Sequence, residues 1–145
     1  VMSTLNRSGC EAMIDVGVHA ATDITGFGLL GHLRNIVAAS RCTAVVAFDR
    51  VPIIAAASEY VAGGIAPGGT HANLRFLADW VDFGALGKPQ QLLLCDAQTS
   101  GGLLIAVEEK KAERLVRALS ERGTLCAAVI GHVEEGPARI RVTAS

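Results

Sequence analysis

Three glycine-bearing segments limit what this chain can fold into. They lie at Thr22–His32, Pro67–Asn73 and Asp96–Gly102, and each breaks an aliphatic stretch before it can build a long element. Glycine inside a helix costs about 0.5–1 kcal/mol relative to alanine, so such segments read as junctions between short helices and strands. The longest uncharged run, Tyr60 to Leu74, contains Gly63, Gly64, Pro67, Gly68 and Gly69. It reads as a loop and not as a membrane span.

Between the junctions the apolar spacing predicts the elements. Met2, Leu5, Gly9, Ala12 and Met13 recur at helical spacing, and Val16–Thr22 is a short apolar strand. A helix follows with Phe27, Leu30, Leu33 and Val37 on one face. Thr43–Phe48 is rich in residues that suit a strand, and Pro52 opens a short helix through Tyr60. Gly63–Thr70 is a loop, while Asn73–Leu86 has no decisive period, with Trp80 and Phe83 giving it buried weight. Gln91–Cys95 and Leu103–Val107 read as strands. Glu109–Arg122 is the clearest helix, its stripe made by Ala112, Leu115, Val116 and Leu119 and its end marked by Gly123. Leu125–Ile130 and Arg139–Val142 read as hairpin-like strands around the turn Glu134–Pro137. The expected fold is α+β, one domain over 1–145 with helices packed on a mixed or antiparallel sheet.

Composition narrows the function. Half the residues are hydrophobic but only 4% are aromatic, so the core must be aliphatic. A net charge of −1 leaves no basic excess for nucleic acid. No signal peptide or membrane span is visible, and Met2 behind Val1 suggests a piece of a longer protein. Cys10, Cys42, Cys95 and Cys126 form no C-x-x-C pair, which argues against zinc. Cys95 and Cys126 sit in apolar runs and read as core residues, in keeping with a reducing, cytoplasmic setting. His19, His32, His71 and His132 are scattered and read as structural; the sequence leaves the direction of His32 open.

The three junctions are also where chemistry can sit. In Thr22–His32, Asp23 can hold Mg²⁺, which favours one or two carboxylates plus substrate phosphates. The plainer alternative, favoured by chemistry alone, is that Asp23 or Thr25 caps the next helix. In Pro67–Asn73, backbone N–H groups around Gly68 and Gly69 can make an anion nest, with Thr70 and Asn73 adding hydrogen bonds; Asn73 can equally be a helix cap. In Asp96–Gly102, Gln98, Thr99 and Ser100 cluster between apolar runs, and Gly101 and Gly102 suit a tight connection. No Walker or dinucleotide-binding glycine motif is present, nor a nucleophile–base pair, so no residue is assigned a catalytic role.

Taken in order, T-D-I-T-G-F-G-L-L-G-H, P-G-G-T-x-x-N and Q-T-S-G-G-L-L resemble the C-terminal domain of the selenophosphate synthetase (selenide, water dikinase) family. The leading M-x-x-L-N-R fits the same region, so the resemblance spans nearly the whole chain. Aminoimidazole ribonucleotide synthetase and its relatives share this domain, but place another residue, often His, at Asp23 and G-G-G at Gly26–Gly28. Ala97 departs from the family's usual Pro, which affects loop stiffness more than chemistry.

The resemblance implies an enzyme making selenophosphate, AMP and phosphate from ATP, selenide and water, with Mg²⁺ required. It implies an N-terminal domain carrying the reactive Cys or selenocysteine, the essential Lys and most nucleotide contacts, and a homodimer formed largely through that domain. Asp23 then becomes a metal ligand, while Gly68, Gly69, Thr70, Asn73, Thr99 and Ser100 lie on the nucleotide-facing cleft. The chain alone is expected to be inactive. The alternatives are a domain of another ATP-dependent enzyme of the aminoimidazole ribonucleotide synthetase group, and a non-catalytic binding module of the same fold.

Overall fold

The computed structural model describes residues 3–145, so Met2, in the first predicted helix, lies outside the described residues. The helices are α1 (Arg7–Val16), α2 (Gly28–Ser40), α3 (Ala55–Ala62), α4 (Gly68–Phe76), α5 (Lys88–Leu94) and α6 (Glu109–Glu121). The strands are β1 (Ala20–Asp23), β2 (Thr43–Ala47), β3 (Val81–Asp82), β4 (Leu103–Ala106), β5 (Gly131–Glu134) and β6 (Arg139–Thr143). The fold is α+β, as the spacing predicts.

The strands form two sheets. β1 and β4 pair antiparallel, with Asp23 opposite Leu103 and Ala20 opposite Ala106. The other sheet is mixed, in the order β3-β6-β2-β5. β2 runs antiparallel to β5 and parallel to β6. β5 and β6 therefore flank β2 and are not a hairpin, although they are neighbours in sequence. The burial of β2, with Thr43 to Val46 all buried, fits its central place.

The main core joins this mixed sheet to α2, α4 and α5 through Leu30, Val37, Leu77, Leu94, Cys95 and Ile140. A satellite core of Ala12, Val16 and Leu115 lies between α1 and α6, packed by Ile105 from β4. Both cores are aliphatic, as the composition requires.

Several local expectations are corrected. Gln91–Leu94 belongs to helix α5, with Cys95 as its C-cap residue, and not to a strand, because Pro89 sits in the first turn and Gly87 N–H donates to Gln90 Oε1 at 2.8 Å. Leu125–Ile130 is not a strand; Leu125 and Val129 are exposed, as is Cys126, and the chain enters the sheet only at Gly131. A Cβ at Gly131 would meet Val45 O at 1.9 Å, so only glycine allows this approach. Pro52 opens no helix; a 3-10 turn at Phe48–Arg50 precedes it and α3 starts at Ala55. Gly68–Thr70 is the first turn of α4 and not loop. Phe27 is the N-cap residue of α2 and is exposed, not part of its buried stripe.

Candidate functional site

The three glycine-bearing segments meet at one place. β1 ends at Asp23 and the chain turns through Ile24–Phe27 into α2. The Asp96–Gly102 connection lies alongside this turn and is stitched to it by backbone bonds. Ile24 N–H donates to Gly102 O at 2.9 Å, Gly101 N–H to Ile24 O at 2.8 Å, and Gln98 N–H to Thr25 O at 3.1 Å. The β1–β4 ladder thus continues past the strand ends into the two loops.

α4 braces both loops from behind. Asn73 Nδ2 donates to Gly26 O at 2.8 Å and to Cys95 O at 3.0 Å. Thr70 Oγ1 donates to Asp96 Oδ1 at 3.0 Å and accepts from Ala97 N–H at 3.1 Å. Thr70 is fully buried and Asn73 nearly so. Both polar groups are therefore satisfied within the chain, at positions where an unpaired group would cost about 1–3 kcal/mol. Asn73 is interior to α4 and does not cap it.

Gly28 closes the junction. Its φ is +69°, and a Cβ there would meet Cys95 C at 2.7 Å and Asp96 O at 2.8 Å. Glycine is required for conformation and for space alike. Gly26 and Gly68 differ: neither has a positive φ, and a Cβ on either would meet nothing within 4 Å. Nothing among the described residues demands glycine at those positions. Gly69 is tighter, its Cβ position lying 3.1 Å from Ala97 Cβ.

The cap reading of Asp23 and Thr25 does not hold. The N-cap residue of α2 is Phe27, which makes no side-chain cap bond. Asp23 is the exposed last residue of β1, and its carboxylate has no hydrogen-bond or ion-pair partner among the described residues. Thr25 uses its carbonyl to accept from Gly28 N–H at 3.0 Å, while its own N–H and Oγ1 lie 3.1 Å from His32 Nε2. Thr99 is exposed and Ser100 half-buried beside the same turn.

Spacing overlooked two members of this cluster. His32 lies one turn inside α2, close enough to reach back over the helix start. Asp96 opens the third segment and has one carboxylate oxygen bonded to Thr70. Among the described residues, no group of three or more His, Cys, Asp or Glu side chains comes together to hold a metal. Cys95 lies beneath the cluster, where burial pushes its thiol up to about 12. That makes it an inert core residue and not a nucleophile.

Comparisons with known proteins show the family and the fold. The chain is 48% identical over 137 residues to a selenide, water dikinase of Pelobacter propionicus, covering 94% of this chain and 39% of that protein. It is 45% identical over 130 residues to a selenide, water dikinase of Carboxydothermus hydrogenoformans, covering 89% of this chain and 38% of that protein. The chain thus spans about two fifths of the length of these curated relatives. Among solved structures, T. maritima PurL complexed with FGAR matches the fold with a TM-score of 0.58 at 20% identity, over 95% of this chain and 18% of that one. The family model described as AIR synthase related protein, C-terminal domain, matches residues 2–143, and the chain belongs to that family.

Proposed function

We propose that this chain is the C-terminal domain of a selenide, water dikinase, an enzyme that makes selenophosphate, AMP and phosphate from ATP, selenide and water. The observation that carries the reading is the 48% identity over 94% of the chain to a relative of that name. The braced cluster supports it by giving the shared motifs one common face. On this reading an N-terminal domain supplies the reactive Cys or selenocysteine, the Lys and most nucleotide contacts. The full-length protein is a cytoplasmic homodimer. No described helix is long and apolar enough to cross a membrane.

The chain's own residues fit a partial Mg²⁺ site. Asp23 offers a hard, exposed carboxylate with no partner among the described residues. One carboxylate suits Mg²⁺ only when substrate phosphates and further groups complete the shell, and these come from outside this chain. When bound, Mg²⁺ neutralises charge on the transferring phosphates. Asp23 contributes its oxygen from the fixed end of β1. Gly26 and Gly68 leave backbone open to close approach, which fits a ligand or the partner domain resting there. Gly69, Thr99 and Ser100 flank that opening, and Thr70 and Asn73 hold its walls in place.

The test is selenide-dependent formation of AMP from ATP. The full-length protein carrying this domain produces it, and this chain alone does not. Absence of selenide-dependent AMP formation by the full-length protein, or its presence with this chain alone, contradicts the reading.

A further inference from the structure

We propose that His32 is a positioning residue that fixes the backbone carrying Asp23, an inference that rests on the reading of Asp23 as facing the metal and phosphates. α2 has no side-chain cap at its start, and the ring of His32 turns back from inside the helix toward the preceding loop. Thr25 N–H lies 3.1 Å from His32 Nε2. A backbone N–H can only donate, so Nε2 is the acceptor and the ring proton sits on Nδ1. Thr25 Oγ1, also at 3.1 Å, shares that acceptor.

The bond matters because of what else Thr25 does. Its carbonyl accepts from both Gly28 N–H and Gln98 N–H, which joins the start of α2 to the Asp96–Gly102 loop. Thr25 is thereby held on its N–H side by His32 and on its carbonyl side by both neighbouring segments. Asp23 lies just upstream, its backbone fixed on one side by pairing with Leu103. On the other side Ile24 is tied to Gly101 and Gly102 by backbone bonds, and the His32 bond adds the restraint one residue further on, at Thr25. The ring itself is supported: Phe27 packs against it with centroids 5.8 Å apart and a 58° tilt. Gly31 leaves room for Phe27, since a Cβ there would lie 2.7 Å from Phe27 Cβ.

Two variants test this. His32→Phe keeps an aromatic ring but removes the acceptor, and His32→Gln returns an acceptor near the Nε2 position. In this chain, NMR hydrogen exchange of the Thr25 amide is expected to quicken about tenfold in His32→Phe, the value of one lost hydrogen bond, and to recover in His32→Gln. In the full-length protein, His32→Phe is expected to raise the Mg²⁺ concentration for half-maximal turnover several-fold, again with recovery in His32→Gln. Unchanged Thr25 exchange in His32→Phe overturns the proposal, as do identical Phe and Gln variants. Faster Thr25 exchange with unaltered Mg²⁺ dependence overturns the positioning role. Near-normal turnover of Asp23→Asn is the separate result that removes the metal reading beneath it.

Discussion

Asn73 holds Gly26: from inside α4, its Nδ2 donates to the Gly26 carbonyl at 2.8 Å, across 47 positions of sequence. The same amide also holds the carbonyl of Cys95. One buried side chain thereby sets the distance between two loops that the backbone ladder has already aligned. Asn73→Ala is expected to destabilise the chain by about 2–4 kcal/mol, since it strands two carbonyls and leaves a gap. Urea unfolding checks this, and a loss below about 0.5 kcal/mol, the level of an ordinary surface change, contradicts the bracing role.

The glycines divide into two kinds with opposite responses to alanine. Gly28→Ala forces a Cβ to 2.7 Å from Cys95 C at a φ of +69°, so the variant is expected to unfold or to lose several kcal/mol. Gly68→Ala meets no atom within 4 Å and sits in the first turn of α4. It is expected to leave thermal stability equal or slightly higher, by up to about 1 kcal/mol. In the full-length protein, turnover of Gly68→Ala is nevertheless expected to fall, because the added methyl occupies the open approach. Normal turnover of that variant removes the argument that glycine serves a ligand there.

The sequence makes some of this plain and hides the rest for identifiable reasons. α6 is legible because its apolar stripe is narrow and Gly123, with a φ of +70°, ends it as predicted. α2, β2 and β6 follow from periodicity and β-branched content in the same way. α5 is hidden because Leu92–Cys95 is a continuous apolar run, and a short apolar run has no period to separate helix from strand. Its signals were Pro89 and Gln90 at the start. The place of β2 between β5 and β6 is hidden because pairing order depends on long-range contacts. The glycine segments and Asp23 are visible one by one. Their meeting is not, because it rests on bonds such as Thr70 to Asp96, 26 positions apart.

The cysteines offer a direct check of the packing. Cys10 and Cys126 are exposed, Cys42 is half-buried and Cys95 is fully buried. A thiol reagent in excess is expected to modify Cys10 and Cys126 quickly, Cys42 more slowly, and Cys95 only on unfolding. Quick modification of Cys95 in the folded chain contradicts its burial in the main core.

Cys95 also predicts a slope in stability at high pH. Burial raises its folded value from 9.0 to about 12, so the unfolded chain loses this proton first. The thiol's contribution is complete below pH 9 and declines as pH rises toward about 12, by roughly 1.4 kcal/mol per pH unit. Stability curves between pH 8 and 11 for the chain and for Cys95→Ala measure it. The variant is expected to show the shallower decline, and equal slopes contradict the burial.

The most direct test of the account is the turnover of the full-length protein with Asp23→Asn, measured against Mg²⁺ concentration. Asn nearly matches Asp in shape, and the Asp23 carboxylate has no partner among the described residues. The change is therefore expected to leave the thermal stability of this chain within about 0.5 kcal/mol of the parent. Mg²⁺ wants a hard anionic oxygen, which Asn lacks. The account predicts that most selenide-dependent turnover disappears and that higher Mg²⁺ recovers only part of it. Near-normal turnover with unchanged Mg²⁺ dependence would contradict the account.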